Sequence, residues 1–489
     1  MSKILFISSE AFPLVKTGGL GDVAGSLPAA LLKQSQDVRL LLPAYPEVMG
    51  KITRKKSLAA VSYYNLAVEI LETQLPDSKV TVWLVDCPAL FNRPGGPYTD
   101  SHGHAWHDNA LRFAVFCHVA VDISLNNLGL NWQPDVAHCN DWQSGLVPAL
   151  LSLRVNRPAT IFTIHNLAYQ GIFDQQTFDD LQLPYELWQI DGLEYYSQLS
   201  FIKGGLAYAD KITAVSPTYA HEILRPEFGY GLDGLLASRS ADLSGILNGI
   251  DESHWNPGTD KYLLQRYNRH SLDKKSINKT ELQKQLTLPV DASIAMIGMV
   301  SRLVEQKGLD IILQSLSTIM TLPFQLVILG TGETHYEIQL SEWSQLYPDR
   351  IKVIIGYDES LAHRIEAASD LYLMPSTFEP CGLNQLYSLC YGTLPIVTPV
   401  GGLADTVRDS SEKNIKNKTA NGFMLKEHSS AALITVVQHA LTLYQKPEVW
   451  RQLQMNAMSG DFSWQSSAES YIALYEQALQ EGQSVVAQT

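Results

Sequence analysis

The second half of the chain carries five short apolar runs, Ile294–Val300, Gln325–Leu329, Ile351–Ile355, Leu371–Met374 and Pro395–Val397, with helical patterns between them. Strands joined through helices cannot pair as hairpins. They fit a parallel sheet with helices on both faces. The first half repeats the alternation in Ile4–Ile7, Val38–Leu42, Thr160–Ile164 and Lys211–Val215. Its one departure is 58–86, where alternation such as Val80–Val85 predicts antiparallel strands inserted on the first α/β unit. At 489 residues the chain exceeds one typical core. The expected fold class is therefore α/β, with two doubly wound domains. Residues 252–292, rich in Lys, Asn, Asp and Gln, read as a connector between them.

The stretch Met374–Gly392 runs from a strand through Phe378-Glu379-Pro380-Cys381-Gly382 into a helix-like segment. Pro380 fixes one φ angle and Gly382 permits close backbone approach, so the turn presents Glu379 and then the N–H groups of Leu383 and Asn384. A helix start of this kind favours an anion. An acid beside a phosphate cradle suits transfer of a group from a nucleotide. Gly19-Leu20-Gly21-Asp22-Val23-Ala24 formally fits a dinucleotide fingerprint, which raises a hydride-transfer reading. Eleven residues separate it from its strand, and the second strand ends in Pro43-Ala44-Tyr45 with no acid for a ribose, so that reading fails. The glycines still allow N–H groups near a phosphate, with Lys16 as a point charge. Gly18–Val23 also echoes Gly401–Thr406, as if each half aimed a glycine turn at one cleft.

Fifty acidic against 36 basic residues give a net charge of −14, which argues against nucleic acid or an anionic membrane as partner. Five scattered cysteines without C-x-x-C spacing indicate neither a disulfide framework nor a zinc site and fit a reducing cytoplasm. The apolar run at the N-terminus is too short for a signal peptide, and none reaches membrane-spanning length. His102, His104 and His107 invite a metal reading, but their spacing matches no metal motif and a polar loop is expected.

Several stretches in fixed order, Lys16-Thr17-Gly18-Gly19-Leu20, His165-Asn166-Leu167-Ala168-Tyr169-Gln170-Gly171, Leu247-Asn248-Gly249-Ile250-Asp251, Ser301–Gly308, the Glu379 stretch, Gly401–Asp405 and Asp461-Phe462-Ser463-Trp464, resemble the bacterial glycogen synthase and plant starch synthase family. The resemblance runs nearly end to end. It implies a retaining glucosyltransferase of GT-B type, two Rossmann-like domains facing a central cleft. The domains would be 1–245, on the acceptor side, and 246–461, on the nucleotide-sugar side, with a C-terminal helix in 462–489 packing back on the first. The implied reaction is transfer of glucose from ADP-glucose to the non-reducing end of glycogen or another α-1,4-glucan, with no metal and no cofactor.

By the same resemblance Glu379, Arg302, Lys307, His165 and Asp141 are catalytic. Lys16, Gly18, Gly19, Asp22, Asn248, Tyr357, Cys381, Gly382, Leu383 and Asn384 bind the donor, and Tyr98, Asn109, Trp142 and Gln143 line the acceptor cleft. Arg302 and Lys307 suit the diphosphate, because negative charge grows there as the C1–O bond breaks. No second carboxylate stands out as a nucleophile of the kind that retaining glycosidases use. The chain departs from the family at Gln143, where His is usual, at Asn384, where Thr is frequent, and at Thr398-Pro399-Val400, which lacks an arginine. A glucan phosphorylase shares the two-domain plan but needs a lysine Schiff base, and a noncatalytic glucan-binding homologue would lose the charged residues that are present here. Gly245, Gly249 and Gly258 supply a flexible connector for a closing motion.

Overall fold

The computed structural model describes residues 1–486, with side chains through Glu481, and divides into two compact units. One comprises Met1–Gly249 with Trp464–Thr489, the other Ile250–Ser463. The expected divisions at 245/246 and 461/462 fall a few residues earlier.

The first unit contains β1 (Lys3–Ile7), β2 (Asp37–Pro43), β3 (Lys56–Tyr63), β4 (Leu66–Gln74), β5 (Thr81–Asp86), β6 (Val136–Asn140), β7 (Ala159–Ile164), β8 (Ile172–Phe173), β9 (Glu194–Tyr195), β10 (Gln198–Ser200), β11 (Lys211–Ala214) and β12 (Leu243–Gly245). Nine of these form one sheet in the order β12-β11-β7-β6-β1-β2-β5-β4-β3, and β8, β10 and β9 form a small second sheet. The pairs from β12 to β5 are parallel, while β3 and β4 run antiparallel at the edge, as expected for the first part of 58–86; of Val80–Val85, Thr81–Val85 fall in β5, which is buried from Val82 to Val85 and pairs parallel with β2 and antiparallel with β4. Tyr64 and Asn65, both at positive φ, make the tight turn between β3 and β4. Helices cover both faces of the central strands, so Ile4–Ile7 are fully buried. The helix Trp464–Val486 belongs to this unit: the Tyr475 hydroxyl lies 2.7 Å from His138 Nδ1, and Ser467 Oγ donates to the Leu247 carbonyl at 2.6 Å.

The second unit holds β13 (Ala295–Val300), β14 (Phe324–Gly330), β15 (Ile351–Ile355), β16 (Leu371–Met374), β17 (Leu394–Val397) and β18 (Phe423–Met424), all parallel, in the order β15-β14-β13-β16-β17-β18. Residues 252–292 are not a loose connector. They include the helix Lys275–Gln285, whose Lys275 and Lys279 are buried. Lys275 Nζ donates to the carbonyls of Glu366 and Ala367 and to Thr393 Oγ1, and Lys279 Nζ lies 2.7 Å from Asp370. Long lysine stems can pack while their ammonium groups find partners, which polar composition conceals. Burial lowers the Lys275 pKa to about 7.

Both large sheets change direction at one place. The chain leaves β1 toward β2 and returns beside β1 as β6; it leaves β13 toward β14 and returns beside β13 as β16. Ligands of open α/β sheets bind at the carboxyl ends of such strand pairs. Among the described residues no helix is long and apolar enough to cross a membrane.

Candidate active site

In the second unit the loops after β13 and β16 carry the expected charges. A 3₁₀ turn at Glu305–Lys307 ends at Gly308, φ +73°, where a Cβ would lie 2.1 Å from the Pro375 carbonyl oxygen. Only glycine permits that approach. The two loops are then stitched together: Thr377 N donates to Gln306 O at 3.0 Å, and Gln306 Nε2 to Phe378 O at 2.9 Å. The result sets Lys307 Nζ 2.6 Å from Glu379 Oε2, which also accepts from Ser376 Oγ at 3.0 Å. Glu379 is buried. Arg302 is exposed, and its guanidinium has no partner among the described residues. The glycine pair of Gly401-Gly402 backs the same loop. A Cβ at Gly401, φ +43°, would meet the Glu379 carbonyl oxygen at 2.0 Å.

In the first unit Asp141 follows β6 at φ +54° and ψ −178°, a conformation that costs a non-glycine residue on the order of 1–3 kcal/mol and concentrates at functional sites. Its Oδ1 accepts from His165 N at 2.7 Å and from Asn166 N at 3.4 Å. Burial raises the Asp141 pKa to about 7; the two backbone donors oppose the shift and the nearby Glu10 charge adds to it. His165 Nε2 lies 2.9 Å from Asn140 Oδ1, and Asn140 Nδ2 donates to Ile7 O. With the amide oriented in this way, His165 Nε2 carries the proton and Nδ1 a lone pair. Burial lowers the pKa of His165 to about 3, so the ring is neutral.

After β1 the buried Glu10 carboxylate gathers the glycine loop around itself. It accepts from Thr17 N, from Thr17 Oγ1 at 2.5 Å, from Gly18 N at 3.1 Å and from the Tyr98 hydroxyl at 2.5 Å. Lys16 pairs with Asp22 at 2.8 Å. Also in this unit is a pocket of about 520 Å³ lined by Trp106, Asn109, Trp142, Tyr169, Gln170, Phe173 and Tyr230. Aromatic faces with a few amides suit a neutral polyhydroxylated ligand.

Residues 3–238 match the starch synthase catalytic domain family and residues 278–454 the glycosyl transferases group 1 family. A glycogen synthase of Cellvibrio japonicus is 54% identical over 97% of this chain and 99% of its own length. Glycogen synthase 1 of Methylococcus capsulatus is 53% identical over 98% and 97%. The chain belongs to the glycogen synthase family. The catalytic domain of starch synthase IV from Arabidopsis thaliana, bound to ADP and acarbose, superposes with a TM-score of 0.88 at 31% identity, covering 98% of this chain and 99% of that one. This family member is a retaining glycosyltransferase with two doubly wound α/β domains of the GT-B type.

Within the glycogen synthase framework several expected residues have their side chains engaged inside their own unit. The Asn384 side chain is spent inside the unit, its Nδ2 donating to Val300 O at 2.6 Å and to the Tyr372 hydroxyl at 2.8 Å. At that helix start the N–H groups of Leu383 and Asn384 have no partner among the described residues. Asn109 likewise supports Tyr98, donating to its carbonyl at 3.0 Å and accepting from Arg112 at 2.7 Å. Gly18 N is committed to Glu10 and not open to a phosphate, whereas Gly19 opens the helix Gly19–Lys33. Cys381 is buried, Tyr357 is exposed, and Asn248 and Gln143 each bury a side-chain oxygen without a hydrogen-bond partner. The echo between Gly18–Val23 and Gly401–Thr406 is not topological, since the first follows β1 and the second β17. His102 and His104 lie exposed on a loop. Sequence reasoning missed Glu10; the signal was an acid directly after a buried strand and two serines, Ser8-Ser9-Glu10.

Proposed function

We propose that this chain acts as a glycogen synthase, moving glucose from ADP-glucose to the non-reducing 4-OH of an α-1,4-glucan with retention, and that the transfer needs neither metal nor cofactor. The observation that carries the reading is the Lys307–Glu379 pair at the β13/β16 switch point, beside the exposed Arg302 and the open N–H groups of Leu383 and Asn384. Cations and N–H groups placed there stabilise the leaving ADP more as its charge grows than in the ground state. Glu379 lies on the glucose side and stabilises positive charge developing at C1. Lys16 and Gly19 add to donor binding.

The C1–O bond breaks with its electron pair leaving on ADP. The acceptor oxygen bonds C1 on that same face, and its proton passes to a departing phosphate oxygen, so configuration is kept without a protein nucleophile. His165, neutral with its Nε2–H on Asn140, holds glucose through an acceptor lone pair and is no general acid. The Trp142 pocket takes the glucan. ADP is favoured over other nucleotides by the ADP-bound starch synthase structure. A cytoplasmic location fits five cysteines that form no disulfide, and the acidic net charge fits neither nucleic acid nor membrane as partner. The test is turnover on glycogen with ADP-glucose, UDP-glucose and glucose 1-phosphate compared; ADP-glucose should give the highest kcat/KM, and turnover with glucose 1-phosphate alone would overturn the reading.

A further inference from the structure

We propose that His254, Glu359 and His363 form a divalent-cation site of zinc type that staples the second unit together. Glu359 and His363 stand four apart on the helix Glu359–Ala368, which places them on one face. The segment after Asp251 brings His254 against them. One ligand atom from each of the three lies within 4.8 Å of the others, and His254 Nε2 is 2.6 Å from Glu359 Oε1.

The second observation concerns His363, which is fully buried. Its Nδ1 lies 2.8 Å from Asp260 Oδ2, which also accepts from the Tyr391 hydroxyl at 2.6 Å, while Asp260 Oδ1 accepts from Tyr262 N at 2.8 Å. A carboxylate so placed accepts the Nδ1 proton, which leaves Nε2 as a lone pair. That Nε2 is buried and has no hydrogen-bond partner among the described residues. Trp255 stacks on the His363 ring at 3.8 Å between centroids and 8°, so the ring cannot turn freely to satisfy it. A histidine whose Nδ1–H is held by a carboxylate while its Nε2 stays free is the usual posture of a metal ligand.

Two imidazoles and a carboxylate match the donor set of zinc, with a fourth position for water. His254 and Glu359 are partly exposed, with side-chain accessibilities of 26% and 34%, so an ion can reach them from solvent. Their mutual hydrogen bond explains those two without a metal but leaves His363 Nε2 unused; a cation uses all three. On binding, the ion replaces the proton between His254 Nε2 and Glu359, which moves to Nδ1 or to solvent. The bond so formed joins positions 105 residues apart in the chain, and a cross-link of that span restricts the unfolded ensemble. The site takes no part in glucosyl transfer and does not depend on the function proposed above.

The test uses the full chain stripped of metal by a chelator that is then removed. Titration with Co²⁺ should give d–d absorption of a four-coordinate site saturating at one ion per chain and displaced by Zn²⁺, and Zn²⁺ should raise the thermal midpoint. His254→Ala and Glu359→Ala, both partly exposed and expected to fold by circular dichroism, should each weaken binding by about 10-fold to 100-fold and abolish the thermal effect. Absence of saturable Co²⁺ binding, or binding unchanged in both variants, would overturn the proposal.

Discussion

Lys307 Nζ lies 2.6 Å from Glu379 Oε2 although the residues are 72 apart in sequence. The cation assigned to the diphosphate and the carboxylate assigned to the sugar are thus a neutral pair before any donor arrives, and donor binding must redistribute that pairing.

Arg302→Ala and Lys307→Ala should each lower kcat/KM by a factor on the order of 10² or more, because each removes a charge aimed at the leaving diphosphate. Their stabilities should differ. Arg302 is exposed and its loss should leave the unfolding midpoint unchanged, whereas Lys307→Ala strands a buried carboxylate and should cost roughly 1–3 kcal/mol in urea unfolding. Normal turnover in either folded variant would remove the diphosphate assignment.

Glu379→Gln should depress kcat by more than it raises KM for the donor, since the carboxylate acts on the charge at C1 and not on ground-state binding. Steady-state kinetics with saturating glucan separates the two. An effect confined to KM would make Glu379 a binding residue.

Asp141 supplies a signed pH test. Its folded pKa, raised to about 7 by burial, exceeds the unfolded value near 3.8, so the folded state holds the extra proton and Asp141 costs stability increasingly as pH rises from about 4 through 7. Asp141→Asn removes that titration. The stability of the variant relative to the parent, measured by urea unfolding, should therefore improve steadily between pH 4 and about 7 and level off above. A flat difference would contradict an ionisable buried carboxyl.

Turnover at saturating ADP-glucose should persist in EDTA. Inhibition relieved by a divalent ion, in protein that stays fully folded by circular dichroism in EDTA, would show that the transfer itself uses a metal.

The parallel sheets were legible because each strand is a short, nearly continuous apolar run, as strands buried on both faces must be. Glu379, Lys307 and Arg302 were legible as charges beside turns, but the pairing of Lys307 with Glu379 was not, because it depends on contacts between Gln306 and the 377–378 backbone. The helix Lys275–Gln285 was hidden by its polarity. Asn384 looks like a side-chain ligand contact in one dimension, while in three its amide satisfies a neighbouring carbonyl, and Asn109 lines the pocket with its amide bonded to Tyr98 O. The pair Glu359 and His363 carried an i, i+4 signal, but its partner His254 is supplied from far along the chain.

Glu10 gives the glycine loop an occupant of its own. Its carboxylate already sits on Thr17 N and Gly18 N, tethered by the chain. A free inorganic phosphate or sulfate would have to displace an anion that the chain itself holds in place, so those two amides are closed to small anions for as long as Glu10 occupies them.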